Sequence, residues 1–499
     1  MKESSLDGGS NFKEILFKNQ LIIGLSVTVF VLAFVLRVYR LSSSPDIFGD
    51  EVLYTNVALK LPQFGHLVAL NSTWFIHPPM FYVLQSIFFQ LTGISGLTLA
   101  NVFTARLTSC LYASLAVVVV FLWTAKSSKI KMGAATSFVL MLEPYALKYS
   151  RMGLLESLVM LFAIVALVFF ARANYKNNLK NYVIGGIFFG LALLTKELAL
   201  FVIVIIAVYW LLTMFVAKTK INVKGTLTFI ATGLVIYLGY VIWALSIDAS
   251  AFLSTKYYLL ERALWIVRDQ GYTTPGYSAF TTDFISTVYI YLITYILIGI
   301  AALASAYFLV RERNQFTILL TSWFIGSVIF FGAIGAHNSQ FFIYITIPAA
   351  IIAGYIITKF AFEQICRNKK VVFAALMLFL AVVGYNTTVW VFIDGGNDTA
   401  VSQSINWIQT NIPNGEKIWV PQFTYLFLSS NYQIVNKEAY PTLNSIQGQG
   451  IHYFITSPRW TYLADNSTLN YIQENGTCIA VFHGQSTQEI DIYFITNPL

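Results

Sequence analysis

Two adjacent carboxylates, Asp50 and Glu51, stand in the run Phe-Gly-Asp-Glu-Val-Leu-Tyr that ends at Tyr54, in a chain with only 11% charged residues. A carboxylate beside a bilayer loses hydration and is costly unless it has a task. General-base work and cation binding are two such tasks. The structural alternative is a solvated loop in which Asp50 caps the apolar helix starting at Val52. Further on, Ile76-His-Pro-Pro-Met-Phe-Tyr sets His77 before two prolines. Prolines cannot continue a helix from before but can start one, so His77 is expected at the mouth of an interfacial helix. A plain turn accounts for His77 equally well.

Three more segments carry candidates. In Tyr149-Ser-Arg-Met-Gly-Leu-Leu-Glu-Ser, Arg151 and Glu156 lie five residues apart. They read either as an ion pair steadying a turn or as a second acidic position facing the same side as Asp50. In Gly190-Leu-Ala-Leu-Leu-Thr-Lys-Glu, Lys196 emerges from an apolar helix, where an ammonium snorkels to the interface or grips a phosphate. The loop Gly335-Ala-His-Asn-Ser-Gln-Phe-Phe-Ile-Tyr offers His337, Gln340 and Tyr344 as polar contacts, or plain loop polarity.

These residues need a scaffold, and composition defines it. Of 499 residues 57% are hydrophobic and 16% aromatic, and the mean hydropathy is +0.67, which describes a polytopic α-helical membrane protein rather than a soluble one. Windows of apolar residues mark about eleven spans, near 21–39, 98–123, 132–148, 153–172, 182–196, 197–217, 225–246, 284–310, 316–335, 341–360 and 371–392. Lys60, Pro62, His66, Pro78 and Pro79 interrupt 52–92, so that stretch is expected to form two interfacial helices. Leu21 to Val38 exceeds a signal h-region and lacks a small-residue cleavage site, which predicts a retained anchor. The three cysteines, Cys110, Cys366 and Cys478, support no disulfide framework.

The net charge of +8 falls in alternate loops: Lys126, Lys129 and Lys131; Arg172, Lys176 and Lys180; Lys218, Lys220 and Lys224; Arg311 and Arg313; Arg367, Lys369 and Lys370. That alternation is a topology signal, not a nucleic-acid patch, and predicts a cytoplasmic N-terminus with the C-terminal region outside. The glycosylation-type sequons at Asn71, Asn386, Asn397, Asn466 and Asn475 all fall on the expected outer side. The expected division is a cytoplasmic segment 1–20, a transmembrane catalytic region 21–394 with its first outer loop at 40–97, and an extracytoplasmic α/β domain 395–499. In that last domain a helix from Ala400 to Thr410 precedes short β-prone runs at Lys417 to Pro421, Ile451 to Thr456, Cys478 to Phe482 and Ile490 to Ile495.

The order of the motifs adds to what each says alone. Asp-Glu after the first span, His-Pro-Pro before the second, Arg…Leu-Leu-Glu at the fourth and Gly-Leu-Ala-x-x-Thr-Lys at the fifth resemble the GT-C membrane glycosyltransferases. The likeness is to the protein O-mannosyltransferases, the aminoarabinose transferases and the RgtA/B/C/D-like group, and it covers roughly 20–360. It implies a GT-C-like fold and inverting transfer of a sugar from a polyprenyl- or dolichyl-phosphate donor. It maps the catalytic aspartate onto Asp50 with Glu51 beside it, and the second acidic position onto Glu156. Lys196 maps onto the lipid-phosphate contact, with Arg151 and the His337 loop beside it, and Tyr54, His77, Gln340 and Tyr344 complete the expected substrate contacts. The chain departs from the pattern in two respects: Glu156 stands where many relatives have Asp, and no long sugar-binding insertion is present.

The expectation is therefore a hexosyltransferase working at the extracytoplasmic face of a prokaryotic (archaeal) cell membrane or of the endoplasmic reticulum. Its partners would be membrane lipid, the lipid-linked donor and a glycan, lipid or protein acceptor, with no nucleic acid. A divalent cation, Mg or Mn, between Asp50 and Glu156 is the cofactor expectation, with no organic cofactor. The rival class is a multi-span transporter or flippase, in which ionisable residues gather near the bilayer midplane and the halves repeat. Here they gather at span ends, with no repeat.

Overall fold

The structure, a computed structural model, describes residues 8–69, 72–264, 291–334, 339–364, 399–420, 423–435, 443–457, 466–484 and 489–498, with isolated positions between 370 and 384. Among the described residues eight helices are long and apolar enough to cross a membrane: Gln20–Val38, Leu99–Ser127, Glu156–Lys176, Glu197–Ala217, Val223–Ala263, Leu292–Arg311, Gln315–Ala333 and Gln340–Phe360. Each expected span as far as 360 has a helix at its place, but two are short, Ile130–Met141 and Leu179–Thr195. The expected span at 371–392 lies almost wholly outside the described residues, as do the sequons at Asn71, Asn386 and Asn397.

The site is positioned from the N-terminal half of the chain. α1 (Gly8–Val38) leads into a loop that ends at α2 (Gly49–Phe64). Glu51 closes a capping box there, its carboxylate accepting the Phe48 N–H at 3.1 Å. α3 (Met80–Thr92) starts directly after Pro79, as the His-Pro-Pro segment predicts. α4 (Leu99–Ser127) opens on Thr98, whose hydroxyl caps the Asn101 N–H at 3.2 Å. α5 (Ile130–Met141) and α6 (Pro144–Ser150) follow, and Glu143 caps the latter through the N–H groups of Tyr145 and Ala146. That completes the run up to α7 (Glu156–Lys176), whose first residue is the second candidate carboxylate.

α8 (Leu179–Thr195) delivers Lys196 and lies tightly against α10 (Val223–Ala263), the helix that follows α9 (Phe201–Leu212) and a short π turn. Glycines allow that approach. A Cβ on Gly186 would stand 2.5 Å from the Phe229 carbonyl oxygen, and one on Gly233 would stand 2.3 Å from the Phe189 ring. α10 breaks at Asp248 (φ −156°, ψ 93°), and the Asp248 carboxylate caps the second half by accepting the Ala251 N–H at 2.9 Å. The turn after the break carries Lys256 and Arg262 back towards the α2–α3 region.

Among the described residues three further apolar helices, α11 (Leu292–Arg311), α12 (Gln315–Ala333) and α13 (Ile343–Gln364), precede a small C-terminal sheet domain whose first described helix is α14 (Ala400–Asn411). Its five strands are β3 (Lys417–Trp419), β4 (Gln433–Val435), β5 (Tyr453–Thr456), β6 (Thr477–His483) and β7 (Glu489–Phe494), numbered after the hairpin of β1 (Val68–Ala69) and β2 (Ser72–Thr73) in the first loop. Their order is β4-β3-β5-β7-β6, with β3 parallel to both neighbours and β7 antiparallel to both of its own. α14 buries Val401, Ile405, Ile408 and Ile412 at helical spacing against Ile418, Ile455 and Ile492 of the sheet. The same cluster takes in Ile47, Val52 and Val102, so the domain rests on the first loop and on α2 and α4. Nothing in the sequence pattern pointed to this contact.

Candidate active site

Asp50 and Tyr54 stand one turn apart on α2, and the Tyr54 hydroxyl hydrogen-bonds the Asp50 carboxylate. The same hydroxyl lies 3.1 Å from Nε2 of His77, whose ring meets Tyr54 edge-on. Asp50, Tyr54 and His77 thus form one polar line from α2 to the start of α3. Burial raises the Asp50 pKa to about 6; the nearby Lys196 and Arg262 cations oppose the rise, and the carboxylates of Glu156 and Glu51 add to it. Burial also holds His77 well below the usual imidazole range, helped by the positive fields of Lys196, Lys256 and Arg262. Burial thus favours the neutral form of both His77 and Asp50.

Glu156 and Lys196 lie within electrostatic reach of Asp50. The Lys196 ammonium donates to Glu156 Oε1 at 2.6 Å, with both side chains buried. It also lies 4.7 Å from the centre of the Phe341 ring, a cation–π contact. Oε2 of Glu156 has no hydrogen-bond partner among the described residues. The Tyr344 hydroxyl is buried, equally without a partner among them, and within electrostatic reach of Glu156. Buried polar atoms left open are costly, and two such atoms near Glu156 can meet a bound hydroxyl or a water. Gln340 is buried in the short 3₁₀ turn Ser339–Phe342 that brings Phe341 to Lys196. His337 lies outside the described residues.

Two expected site residues have other surroundings. Glu51 is fully buried and meets Arg106 in a bidentate pair (2.7 and 2.9 Å), while also accepting the Gly153 N–H at 2.6 Å. With the Phe48 N–H, its two oxygens accept four N–H donors. Arg151 is just as buried and donates to the carbonyls of Leu36, Arg40 and Ser44. It clamps the exit of α1 through these backbone carbonyls. Both side chains thus spend most of their hydrogen-bonding capacity on protein groups.

Several charged residues at or near the candidate site are not singled out from the sequence. Lys256 donates to the Phe75 carbonyl at 2.7 Å and pairs with Glu197, which also accepts from Tyr237 at 3.2 Å. Arg262 sends its field to both Asp50 and His77. Neither lies in a recognisable motif; only the break at Asp248 turns them inward. Arg106 is buried in the middle of an apolar helix, and that is the signal that could have found it. Glu143, whose Pro144 at the first helical position marks a cap, also binds Thr294 and Thr346.

Among the described residues no three His, Cys, Asp or Glu side chains gather as a metal cage. Asp50 and Glu156 share one field, but Lys196 stands with them and already holds Glu156 Oε1. A divalent cation between the two carboxylates would face that ammonium. The donor set does not suit Mg or Mn.

Residues 76–243 match the family model described as dolichyl-phosphate-mannose-protein mannosyltransferase. No curated protein matches the sequence. Among solved structures, the oligosaccharyltransferase of Archaeoglobus fulgidus in its apo form is similar at 12% identity and a TM-score of 0.62, over 96% of this chain and 75% of that one. The same enzyme in complex with Zn and sulfate matches at 14% identity and a TM-score of 0.61, over 94% and 73%. ArnT from Cupriavidus metallidurans, solved bound to undecaprenyl phosphate, matches at 13% identity and a TM-score of 0.57, over 96% of this chain and 98% of that one. At such identities the likeness establishes the fold, which is GT-C.

Proposed function

We propose that this chain is a glycosyltransferase of the GT-C type, a reading supported by the family match and the fold, and that it moves a sugar from a polyprenyl- or dolichyl-phosphate carrier to an acceptor hydroxyl at the extracytoplasmic face of a membrane. The observation that carries this reading is Asp50. It is a carboxylate with its pKa raised to about 6, bonded to Tyr54 and facing the cations Lys196 and Arg262. A general base works best with a pKa near the operating pH. A leaving phosphate needs fixed positive charge where its own charge develops.

In the step proposed, Asp50 takes the acceptor hydroxyl proton as the acceptor oxygen closes on the anomeric carbon. The bond from that carbon to the phosphate oxygen breaks on the opposite face, so the anomeric configuration inverts. Lys196, Lys256 and Arg262 meet the departing lipid phosphate. Tyr54 and neutral His77 orient Asp50, and the open atoms Glu156 Oε2 and Tyr344 Oη take sugar hydroxyls. Mannose is the sugar favoured by the family model, whose match spans the His77-to-Lys196 half of the site. The positive loops favour a cytoplasmic N-terminus, and an archaeal cell membrane or the endoplasmic reticulum both suit that orientation.

The test is transfer of radiolabelled sugar from a synthetic polyprenyl-phosphate donor by purified protein. Activity that disappears in Asp50→Asn, with the protein still folded, is the expected result. Turnover by Asp50→Asn at the parent rate removes the base assignment. Absence of transfer with every lipid-phosphate sugar tried removes the reading as a whole.

A further inference from the structure

The loop between α1 and α2 is tied to the C-terminal domain through one buried carboxylate that the chemistry above does not use. Asp46 is 4% exposed. Its Oδ2 accepts the N–H of Val401, in the first turn of α14, at 2.8 Å. Its Oδ1 accepts the Ile47 N–H at 2.8 Å. The α14 N-terminus finds no cap in Thr399, whose side chain makes no capping bond. Asp46, 355 residues away in sequence, supplies that carboxylate from another part of the fold. An ionised carboxylate there satisfies a free N–H and meets the positive end of the helix dipole.

The tie continues inward. The Asp46 carbonyl accepts from Arg106 Nη2 at 3.0 Å, and the carbonyls of Leu41 and Pro45 accept from Nη1 at 2.9 and 2.7 Å. The same guanidinium grips Glu51, which in turn accepts the Gly153 N–H just before α7. A continuous chain of hydrogen bonds thus runs from α14 through Asp46, Arg106 and Glu51 to the segments that carry Asp50 and Glu156. Around it Ile47, Val52 and Val102 share a core with Val401, Ile405 and Leu428.

We propose that Asp46 is a positioning residue, through which the C-terminal α/β domain fixes the loop and first turn of α2 that present Asp50. The domain is then part of the catalytic apparatus by geometry, without supplying a group that touches substrate. This role rests on the reading of Asp50 as base for its kinetic consequence, but not for its structural one.

Two substitutions cut the same bond from opposite sides in the full-length protein. Asp46→Ala removes the acceptor. Val401→Pro removes the donor at a first-turn position that tolerates proline, and Val401→Ala is the control that loses packing while keeping the N–H. Asp46→Ala and Val401→Pro should each lower kcat about tenfold with the donor KM unchanged. They should also shift the acid limb of the pH profile, and the double variant should be no worse than either alone. Hydrogen exchange of residues 47–56 should quicken in both single variants and not in Val401→Ala. This exchange arm holds even if no lipid-phosphate sugar proves to be a donor, which separates failure of this role from failure of the transfer reading. A Val401→Pro variant indistinguishable from Val401→Ala, or an Asp46→Ala variant with parental exchange at 47–56, overturns the proposal.

Discussion

Asp50 and Glu51 are neighbours in the chain and opposites in environment. Glu51 is buried with four N–H donors on its two oxygens, from Phe48, Gly153 and twice from Arg106. Asp50, half-buried one residue earlier, has the Tyr54 hydroxyl as partner and carries a carboxyl pKa raised by burial. Successive helical residues point about 100° apart, and that rotation separates a carboxylate filled with N–H donors from one that is not.

Loss of Glu51 therefore reads as loss of stability. Glu51→Ala leaves the Arg106 guanidinium buried without its counter-charge, and breaking such a pair costs about 3–5 kcal/mol. Asp50→Asn removes a carboxylate whose ionisation burial already disfavours, so its stability should match or slightly exceed the parent. Thermal unfolding in detergent checks both. A Glu51→Ala midpoint equal to that of Asp50→Asn would contradict the assignment of roles.

The pH dependence follows from sign. A base must be ionised to accept a proton, and with Asp50 at about pH 6 the rate should fall as pH drops through that value. Lys196 and Arg262 both favour the ionised form. Lys196→Met or Arg262→Gln should therefore move the acid limb upward. Glu156 disfavours ionisation, so Glu156→Gln should move it downward. The stability linked to this group runs the other way: its pKa is higher folded than unfolded, so its contribution is present in acid and weakens as pH rises through about 6. Rate profiles from pH 5 to 8 for the three variants test the signs, and any limb moving against its charge counts against the site.

Much of this is legible in the sequence because apolar windows and motifs are local. The helices at the expected spans as far as 360, the two helices at 49–64 and 80–92, and the company of Asp50, His77, Glu156 and Lys196 are all readable from runs of a few residues. The roles of Glu51 and Arg151 are not. Their partners lie 55 and 107 residues away, and nothing local tells a saturated carboxylate from an open one. Lys256 and Arg262 stay hidden because they lie beyond the break at Asp248, where a continuous helix would have carried them away from the site. The strand Gln433–Val435 is equally hard to see, since three residues give too short a period to detect.

Helix packing gives a contrast with an internal control. Gly186 faces the Phe229 backbone so closely that a Cβ would sit 2.5 Å from its carbonyl oxygen, and backbone cannot yield as a side chain does. Gly186→Ala should cost about 1–3 kcal/mol, typical of overpacking. It should weaken activity as well, because α8 carries Lys196. At Gly239, on α10, an added methyl would meet no atom of the described residues within 4 Å. Gly239→Ala should be neutral or stabilising by up to about 1 kcal/mol from helix propensity. Equal unfolding midpoints for the two variants would mean that α8 and α10 are not in the close contact described.

The cations on the far half of α10 make the sharpest statement about substrate. Lys256 is anchored at Phe75 and Glu197, while Arg262 reaches Asp50 and His77 through its field. If these side chains meet a lipid phosphate, each contributes a charge-assisted contact to an anion in a partly dry site, and such hydrogen bonds are worth about 1.5–3 kcal/mol. Arg262→Gln should then raise the donor KM roughly ten- to a hundredfold. Lysine in its place should recover part of the loss, since charge returns without the planar fork. An uncharged lipid of the same chain length should compete equally well with the parent and the variant, because the missing contact is to phosphate. Equilibrium binding of polyprenyl phosphate to both proteins measures this directly, and equal affinity in Arg262→Gln would take the cation out of the donor site.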